Sequence, residues 1–316
     1  MGTEMGFDLA DICIKLETAD AKRFEAAFMS VGKAYASACR ALACVERYED
    51  CTGCPCRSGC KWDTVFGQQF DHQLISTKKR FQKPALPFAF SVHQDVSQTP
   101  GGNCLELRLV VIGRGITALD MLLQGLVALL KQDATPLPEI SIKAIYSRDF
   151  QGCKHYLQPE GALIEPGQFE YALVSSDWIT DVWPSDTDTV SVTLCSPLQL
   201  VADGRPVRQF NFGLFARTVM RRVSSLAYYY GDYEFDVDYR QLSARLDDVI
   251  CVGGQFDYLS VDRPSRYTGM TGSGVFNGQL SRILPFLRLG SYLNVGKLCS
   301  FGMGHYLIDS ESSSQV

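Results

Sequence analysis

The segment CLELRLVVIGRGITALDMLLQGLVALLK, residues Cys104–Lys131, decides the fold class because it places a strand directly before a helix. CLELRLVVI (Cys104–Ile112) has the length and apolar content of a strand. ITALDMLLQGLVALLK (Ile116–Lys131) predicts a helix, and its apolar run is too short to span a bilayer, which indicates burial in a protein core.

The elements on either side complete a recognisable order. Phe7–Glu17 alternates apolar and polar residues like a strand, and Ala19–Cys44 is rich in helix formers. Pro87–Val92 and Ile140–Ser147 predict two further strands. The order β-α-β-β-α-β is that of the ferredoxin-like split motif.

The second half of the chain predicts the same order again. It follows a segment rich in Gly, Pro and Glu, QPEGALIEPGQ. The predicted elements are a strand at Val190–Leu200, a helix at Phe210–Tyr230, a strand at Ile250–Val261, a strand from Gly272 leading into a helix at Leu280–Leu289, and a strand at Phe301–Ile308. We therefore predict an α+β protein of two tandem ferredoxin-like domains, residues 1–160 and 161–316.

Charge is segregated along the chain. The net charge of -5 argues mildly against a nucleic-acid ligand, but nucleic-acid binding needs only a local basic patch. Residues 263–308 contain no Asp or Glu and carry Arg263, Arg266, Arg282, Arg288 and Lys297. The N-terminus has no basic region followed by an apolar core, so we expect a cytoplasmic protein without a membrane partner.

The stretch NVGKLCSFGMGHY, Asn294–Tyr306, is rich in glycine, which raises the possibility of a phosphate-binding loop. It does not fit a Walker A loop, because Gly296-Lys297 is followed by Leu and no helix is predicted after it. It does not fit a dinucleotide fingerprint either, because Gly302-Met303-Gly304 lacks the third glycine. Periodicity alone favours glycines that supply positive φ and close chain approach.

Several motifs in the second half resemble those of CRISPR-associated endoribonucleases that process precursor RNA, members of the RAMP superfamily. The resemblance covers most of residues 190–308 and is weaker over residues 87–130. The motifs are CSPLQLVADGRPV (Cys195–Val207), FGLFARTVMRRVSSLAYYYG (Phe212–Gly231), DRPSRYTG (Asp262–Gly269), GSGVFNGQL (Gly272–Leu280) and ILPFLRLGSYLNVGKLCSFGMGHYLI (Ile283–Ile308).

The resemblance implies an RNA-binding surface built around the glycine-rich stretch. Glycine-rich turns can offer backbone N–H groups to phosphates, and nearby basic side chains supply charge. A spacing of four places Arg217 and Arg221 on one helix face. The residues we expect to bind RNA are Lys78, Lys79, Arg217, Arg221, Arg222, Arg266, Gly296, Lys297, Gly302 and Gly304.

Five of the twelve cysteines crowd into residues 44–60, inside the first domain. Four thiolates on short turns suit a tetrahedral metal, and relatives carry a similar Cys-x2-Cys-Pro pattern. We predict a metal knuckle within residues 44–62, with Cys44, Cys51, Cys54 and Cys60 as ligands and Cys56 as a spare or a substitute for Cys44. The residues suit structural zinc and an iron–sulfur cluster equally.

The reaction that the resemblance implies is metal-independent cleavage of CRISPR repeat RNA by attack of a ribose 2′-OH on the adjacent phosphate, giving mature crRNA. This chemistry needs a general base, an acid and a cation at the phosphate. The candidates are His72, His305 and Tyr35. The alternative is a noncatalytic RNA-binding subunit of a CRISPR effector complex. In either case the expected partners are repeat RNA or crRNA and other effector-complex subunits.

Overall fold

The computed structural model describes residues 6–44, 51, 53–68, 84–94, 104–131, 136–158, 170–181, 187–259 and 267–310. The described residues form two compact units. The N-terminal unit takes those of Phe7–Val174 and Ser225–Tyr233, and the C-terminal unit takes those of Ser175–Ser224 and Glu234–Val316, with Gly6. The boundary predicted between residues 160 and 161 lies outside the described residues.

The N-terminal unit contains an antiparallel sheet with the strand order β2-β3-β1-β4-β5, and β6 pairs with β1. The first four strands therefore have the order of the predicted β-α-β-β-α-β motif. The elements are β1 (Asp8–Thr18), α1 (Ala21–Phe28), α2 (Gly32–Ala43), β2 (Phe88–Gln94), β3 (Cys104–Ile112), α3 (Leu119–Leu130), β4 (Ile140–Arg148), β5 (Lys154–Gln158) and β6 (Leu173–Ser175).

The single helix predicted over Ala19–Cys44 is two helices. Between them the chain makes tight turns. The Ser30 N–H donates to the Ala27 carbonyl oxygen, and the Val31 N–H donates to the Phe28 carbonyl oxygen. The Ser30 hydroxyl also donates to the Ala27 carbonyl oxygen at 2.6 Å, which competes with helix continuation. Composition predicted the helix content, but not this local side-chain competition.

The core of the N-terminal unit lies between the helices and one face of the sheet. Phe88 and Phe90 of β2 make edge contacts with Tyr35 of α2. Gly125 of α3 lets α2 approach closely, because a Cβ there would lie 2.5 Å from the Cys39 sulfur. The sequence predicts that this helix is too short to span a bilayer, but the helical stretch runs over Gly113–Leu130 and is long and apolar enough to cross a membrane by length and composition. It is 56% buried, as in a core helix.

The C-terminal unit repeats the arrangement with the strand order β10-β11-β7-β12, and β8 pairs with β9 in a small hairpin. The predicted α+β architecture with antiparallel sheets is confirmed. The elements are α4 (Ser176–Asp181), β7 (Thr189–Leu198), β8 (Val201–Ala202), β9 (Arg205–Pro206), α5 (Phe212–Tyr230, of which Ser225–Tyr230 belong to the N-terminal unit), α6 (Tyr239–Arg245), β10 (Ile250–Leu259), β11 (Gly269–Asn277), α7 (Leu284–Leu293) and β12 (Tyr306–Ser310).

The sheet of the N-terminal unit has a polar face opposite its helices, which we call the outer face. On it the guanidinium of Arg108 (β3) donates to both carboxylate oxygens of Asp11 (β1), at 2.7 and 2.8 Å. Both side chains are largely buried, at 13% and 5% exposure. A bidentate pair in such a place satisfies two charges that would otherwise be costly to bury.

Replacing Arg108 by Met tests this pair, because it leaves the Asp11 carboxylate buried without its partner. We expect the free energy of unfolding, measured in urea, to fall by about 3 kcal/mol. The control is Lys143→Met, which breaks the more exposed Lys143–Glu17 pair and should change stability by less than about 1 kcal/mol. Equal losses in the two variants would contradict this assignment.

Candidate functional site

The glycine-rich stretch forms a compact loop, residues 294–305, which we call the glycine loop. Five of its residues have positive φ, a region that favours glycine. They are Asn294 (55°), Gly296 (89°), Leu298 (56°), Gly302 (98°) and Gly304 (66°). Asn294 is buried and its side-chain amide donates to the Cys299 carbonyl oxygen at 2.9 Å, which helps to hold its unusual backbone. The loop is therefore shaped by its own sequence.

Several backbone N–H groups of the glycine loop donate to oxygen atoms of the protein itself. Val295 donates to the Gly304 oxygen, and Gly304 donates to the Pro197 oxygen, each at 3.0 Å. Lys297 donates to the Gln199 oxygen, also at 3.0 Å. These bonds attach the loop to the end of β7, so these three N–H groups are engaged in structure rather than turned toward a phosphate.

Two of the glycines are required by close approach. A Cβ at Gly304 would lie 1.8 Å from the Val295 oxygen, and a Cβ at Gly296 would lie 2.6 Å from the Gln199 oxygen. A Cβ at Gly302 would meet nothing within 4 Å. Close packing thus explains Gly296 and Gly304, whereas at Gly302 only the positive φ favours glycine. RNA contact by these glycines stays a prediction.

The part of the loop that reaches solvent is its tip. Lys297 and Leu298 are exposed, and Gly296 is partly exposed. An ammonium group at the tip of a rigid loop can contact a phosphate with little loss of conformational freedom in the backbone. The placement of Lys297 is compatible with its predicted role in RNA binding.

His305 is buried, with 2% of its surface exposed. Its N–H donates to the Ser196 hydroxyl at 2.8 Å, and its carbonyl oxygen accepts from the Cys195 N–H at 2.9 Å. These contacts join the loop to β7, and the burial disfavours direct contact of the imidazole with RNA. The catalytic role of His305 stays a prediction, and the burial of its side chain argues against that role.

The three arginines predicted on α5 have different environments. Arg217 donates to the Ser243 oxygen and to the Asp247 carboxylate, each at 3.1 Å, and so ties α5 to the end of α6. Arg221, four residues on, is exposed. Arg222 is buried, and its Nε donates to the Leu293 oxygen at 2.8 Å, at the end of α7.

Arg222 therefore occupies a structural position. A cation beside the carbonyl end of a helix is favoured by the helix dipole and by the carbonyl groups left without helical partners. The residue it holds, Leu293, immediately precedes the glycine loop. Of the three arginines, Arg221 is the one whose exposure best suits the predicted contact with RNA.

Four predicted site residues, His72, Lys78, Lys79 and Arg266, lie outside the described residues, so their roles stay predictions. Tyr35 is fully buried, and its hydroxyl donates to the Leu122 oxygen at 3.0 Å. Burial raises the pKa of this phenol well above its usual value. A neutral, internally bonded hydroxyl in the core is poorly placed to move protons at a substrate.

The four cysteines predicted as metal ligands line one pocket. Short turns hold them there. The Cys54 N–H donates to the Cys51 carbonyl oxygen at 3.3 Å, and the Cys60 N–H donates to the Arg57 carbonyl oxygen at 3.2 Å. The residues that line the pocket are Arg40, Cys44, Cys51, Cys54, Arg57, Cys60, Trp62 and Asp63. The donor chemistry suits a thiolate-bound metal.

A metal at these cysteines stays a prediction. Among the described residues, no group of three or more His, Cys, Asp or Glu side chains is arranged so that it could hold a metal ion.

The outer face of the N-terminal sheet was not anticipated as a site. It joins the Asp11–Arg108 pair to Glu106, Tyr146 and Arg148, with Glu106 accepting from both Tyr146 and Arg148. Burial, and after it the charge of Arg108, lowers the pKa of the neighbouring His93. The signal in the sequence was a polar residue at every second position of these strands.

Comparison with protein families places the glycine loop and the C-terminal sheet in a known context. A model described as the CRISPR-associated endoribonuclease Cas6 matches residues 192–306. A second model, described as an N-terminal domain, matches residues 33–136. A comparison with curated protein sequences returns no match.

Solved Cas6 structures have the same fold. A Cas6 product complex has a TM-score of 0.56 at 13% identity, covering 95% of this chain and 100% of that one. Cas6 from Thermus thermophilus gives 0.54 at 12% identity, covering 96% and 99%. A partial Cas6-RT-Cas1–Cas2 complex gives 0.52 at 10% identity, covering 99% of this chain and 48% of that one.

Two glycines of the loop separate the cost of a steric clash from the cost of backbone strain at positive φ. Gly304→Ala and Gly302→Ala both place a side chain at positive φ, which costs about 1–2 kcal/mol. In Gly304→Ala the new Cβ also collides with the Val295 oxygen. We expect Gly304→Ala to lose at least about 3 kcal/mol of unfolding free energy or to fail to fold, and Gly302→Ala to lose about 1 kcal/mol. Equal urea midpoints would refute this explanation.

Proposed function

We propose, since the chain belongs to the Cas6 family of CRISPR-associated endoribonucleases, that it binds CRISPR repeat RNA and cuts the precursor transcript into mature crRNA. The observation that carries the proposal is the family match over residues 192–306, which extends from within β7 to the first residue of β12 and includes the entire glycine loop. The exposed positions of Lys297 and Arg221 support it, because each can approach a phosphate.

The proposed reaction uses no catalytic metal. A general base removes the proton from a ribose 2′-OH, and the 2′ oxygen bonds to the adjacent phosphorus. The bond from phosphorus to the 5′ oxygen breaks, and that oxygen takes up a proton from a general acid. The products are a 2′,3′-cyclic phosphate and a 5′-OH, and a nearby cation stabilises the charge that develops on the phosphate.

His72 is our candidate for the general base. Histidine suits this role because its imidazole titrates near neutral pH. The environments of the other histidines favour this choice. His305 is buried, His93 lies in the outer-face network, and the exposed imidazole of His155 contacts the Asp149 carboxylate at 2.9 Å.

The cysteine pocket supports a second part of the proposal, a structural zinc ion or iron–sulfur cluster held by Cys44, Cys51, Cys54 and Cys60. The metal would close the knuckle by drawing the four thiolates together. The knuckle is anchored on α2, where the Trp62 ring N–H donates to the Ala36 oxygen at 3.1 Å. Its role would be stability, with no part in the reaction.

The proposed partners are repeat RNA, crRNA and other CRISPR proteins in the cytoplasm. One solved relative is part of a complex with Cas1 and Cas2. Effector subunits that receive the cut RNA fit the same proposal. Pull-down of this protein from native cells would identify which of these CRISPR proteins bind it.

Cleavage of repeat RNA in EDTA tests the proposed reaction. We expect discrete cuts with cyclic-phosphate ends, and we expect His72→Ala to lower the cleavage rate by at least about a hundredfold while RNA binding is retained. His155→Ala is the control and should cleave normally. Retained cleavage in His72→Ala would reject the base assignment. Tight, salt-sensitive binding by the wild-type protein without any cleavage would instead support a noncatalytic subunit.

Metal analysis of anaerobically purified protein tests the knuckle. We expect a stoichiometric metal that Cys51→Ser or Cys54→Ser removes, with a lower melting temperature. Cys153→Ser is the control, because Cys153 is an exposed cysteine on the turn after β4. A fully folded wild-type protein that contains no zinc or iron would contradict the proposal.

A further inference from the structure

The hairpin formed by β4 and β5 adds a strand that the β-α-β-β-α-β motif does not contain. β5 pairs with β4 at the edge of the N-terminal sheet. Two aromatic side chains on this hairpin face solvent, Tyr156 with 63% of its surface exposed and Phe150 with 52%. Single exposed apolar side chains are ordinary, so their meaning depends on the groups beside them.

The register of the hairpin places aromatic and basic groups side by side. Tyr146 pairs with Tyr156, and Arg148 pairs with Lys154. The two tyrosine rings lie 5.6 Å apart. The Arg148 guanidinium and the Lys154 ammonium lie 5.7 and 4.8 Å from the centre of the Tyr146 ring. Because these four residues occupy alternate strand positions, they share the outer face of the sheet. We call them the hairpin platform.

The charge around the platform favours an anionic ligand, although the whole chain carries a net charge of -5. Among the outer-face network residues and their strand neighbours, Asp11, Glu17 and Glu106 are matched by Arg108, Lys143 and Arg148, while Lys15 and Lys154 are two further basic side chains. The nearby Asp149 accepts from the N–H groups of its own turn, Gln151 and Cys153, and from His155. Its carboxylate subtracts one charge, so basic side chains still outnumber acidic ones by one around the platform.

The combination suits single-stranded RNA better than a duplex. Unpaired bases stack on exposed aromatic rings, and their phosphates lie within reach of neighbouring cations. A base-paired stem presents its phosphates outward and buries the faces of its bases. An exposed tyrosine beside a lysine therefore suits an unpaired strand better than a duplex.

We propose that the hairpin platform binds unpaired nucleotides of the RNA substrate, with Tyr156 stacking on a base and Lys154 contacting an adjacent phosphate. The inference rests on the proposed function, because it assigns an additional binding site for the same RNA. This site would add affinity for single-stranded RNA adjoining the repeat, and it has no part in the chemical step.

The test is a titration of the full chain with two RNAs, the repeat alone and the repeat extended by an unpaired oligoadenylate. The wild-type protein should bind the extended RNA more tightly. Tyr156→Ala should remove that gain, weakening the extended complex by about tenfold and the repeat complex little. Tyr156→Phe should keep the gain, because the ring remains. Trp178→Ala, at an exposed aromatic residue of the C-terminal unit, is the control and should bind both RNAs normally.

Lys154→Ala gives an independent readout. It should reduce the salt dependence of binding to the extended RNA by about 0.7 in the slope of log K against log salt, the loss of one single-strand phosphate contact. Ultraviolet crosslinking with mass spectrometry should recover RNA on the peptide that contains Tyr156.

Two outcomes would overturn the inference. One is a wild-type protein with no preference for the extended RNA, and the other is Tyr156→Ala with the full preference retained. An effect of Tyr156→Ala on binding of a CRISPR protein alone would also overturn it in favour of a protein interface. The wild-type protein is assayed with the repeat before any variant is used. If it neither binds nor cuts the repeat in any form, that result counts against the proposed function instead.

Discussion

The carbonyl oxygen of Val295 lies where the side chain of any residue other than glycine at position 304 would begin. This contact fixes the shape of the glycine loop. The same Gly304 bonds through its N–H to Pro197, and His305 bonds to Ser196, so the loop and the end of β7 are held together. Val295 lies two residues after the end of α7, and Gly304 lies two residues before the start of β12. The exposed tip at Lys297 is thus carried by a rigid support.

The order of strands and helices could be predicted from the sequence because each element buries one face. The alternation of apolar and polar residues predicted β1, and the apolar run of α3 predicted a core helix. The break between α1 and α2 was not predicted, since composition does not register a tight turn held by backbone hydrogen bonds and the Ser30 hydroxyl. The edge strand β5 was missed because a short strand with mostly exposed residues has almost no apolar pattern.

The candidate site was predicted less completely than the fold. Spacing along a helix gives the face on which an arginine lies, but it does not give the depth of burial. Arg221 and Arg222 are neighbours in sequence, yet one is exposed and the other holds the end of α7. In the same way, a histidine within a glycine-rich motif suggested chemistry, while the structure buries His305 beside β7. Depth depends on the whole sheet and is not encoded in a local motif.

The two units contribute different surfaces to the proposed function. The C-terminal unit presents a rigid glycine loop with a cation at its tip, which fits phosphate recognition. The N-terminal unit presents an internally paired polar network beside exposed aromatic groups, which fits unpaired bases. Its cysteine pocket, lined by residues of neither surface, fits a stabilising role. Affinity, chemistry and stability would then reside in different groups of residues, which allows each to be tested by itself.

Repeat RNA in which the nucleotide before the cut carries a 2′-deoxyribose tests the proposed reaction. We expect the wild-type protein to bind this RNA as tightly as the unmodified repeat and not to cut it, because the attacking oxygen is missing. Cleavage of the deoxy substrate at the same position would contradict the proposed reaction, since the attacking group would then come from elsewhere.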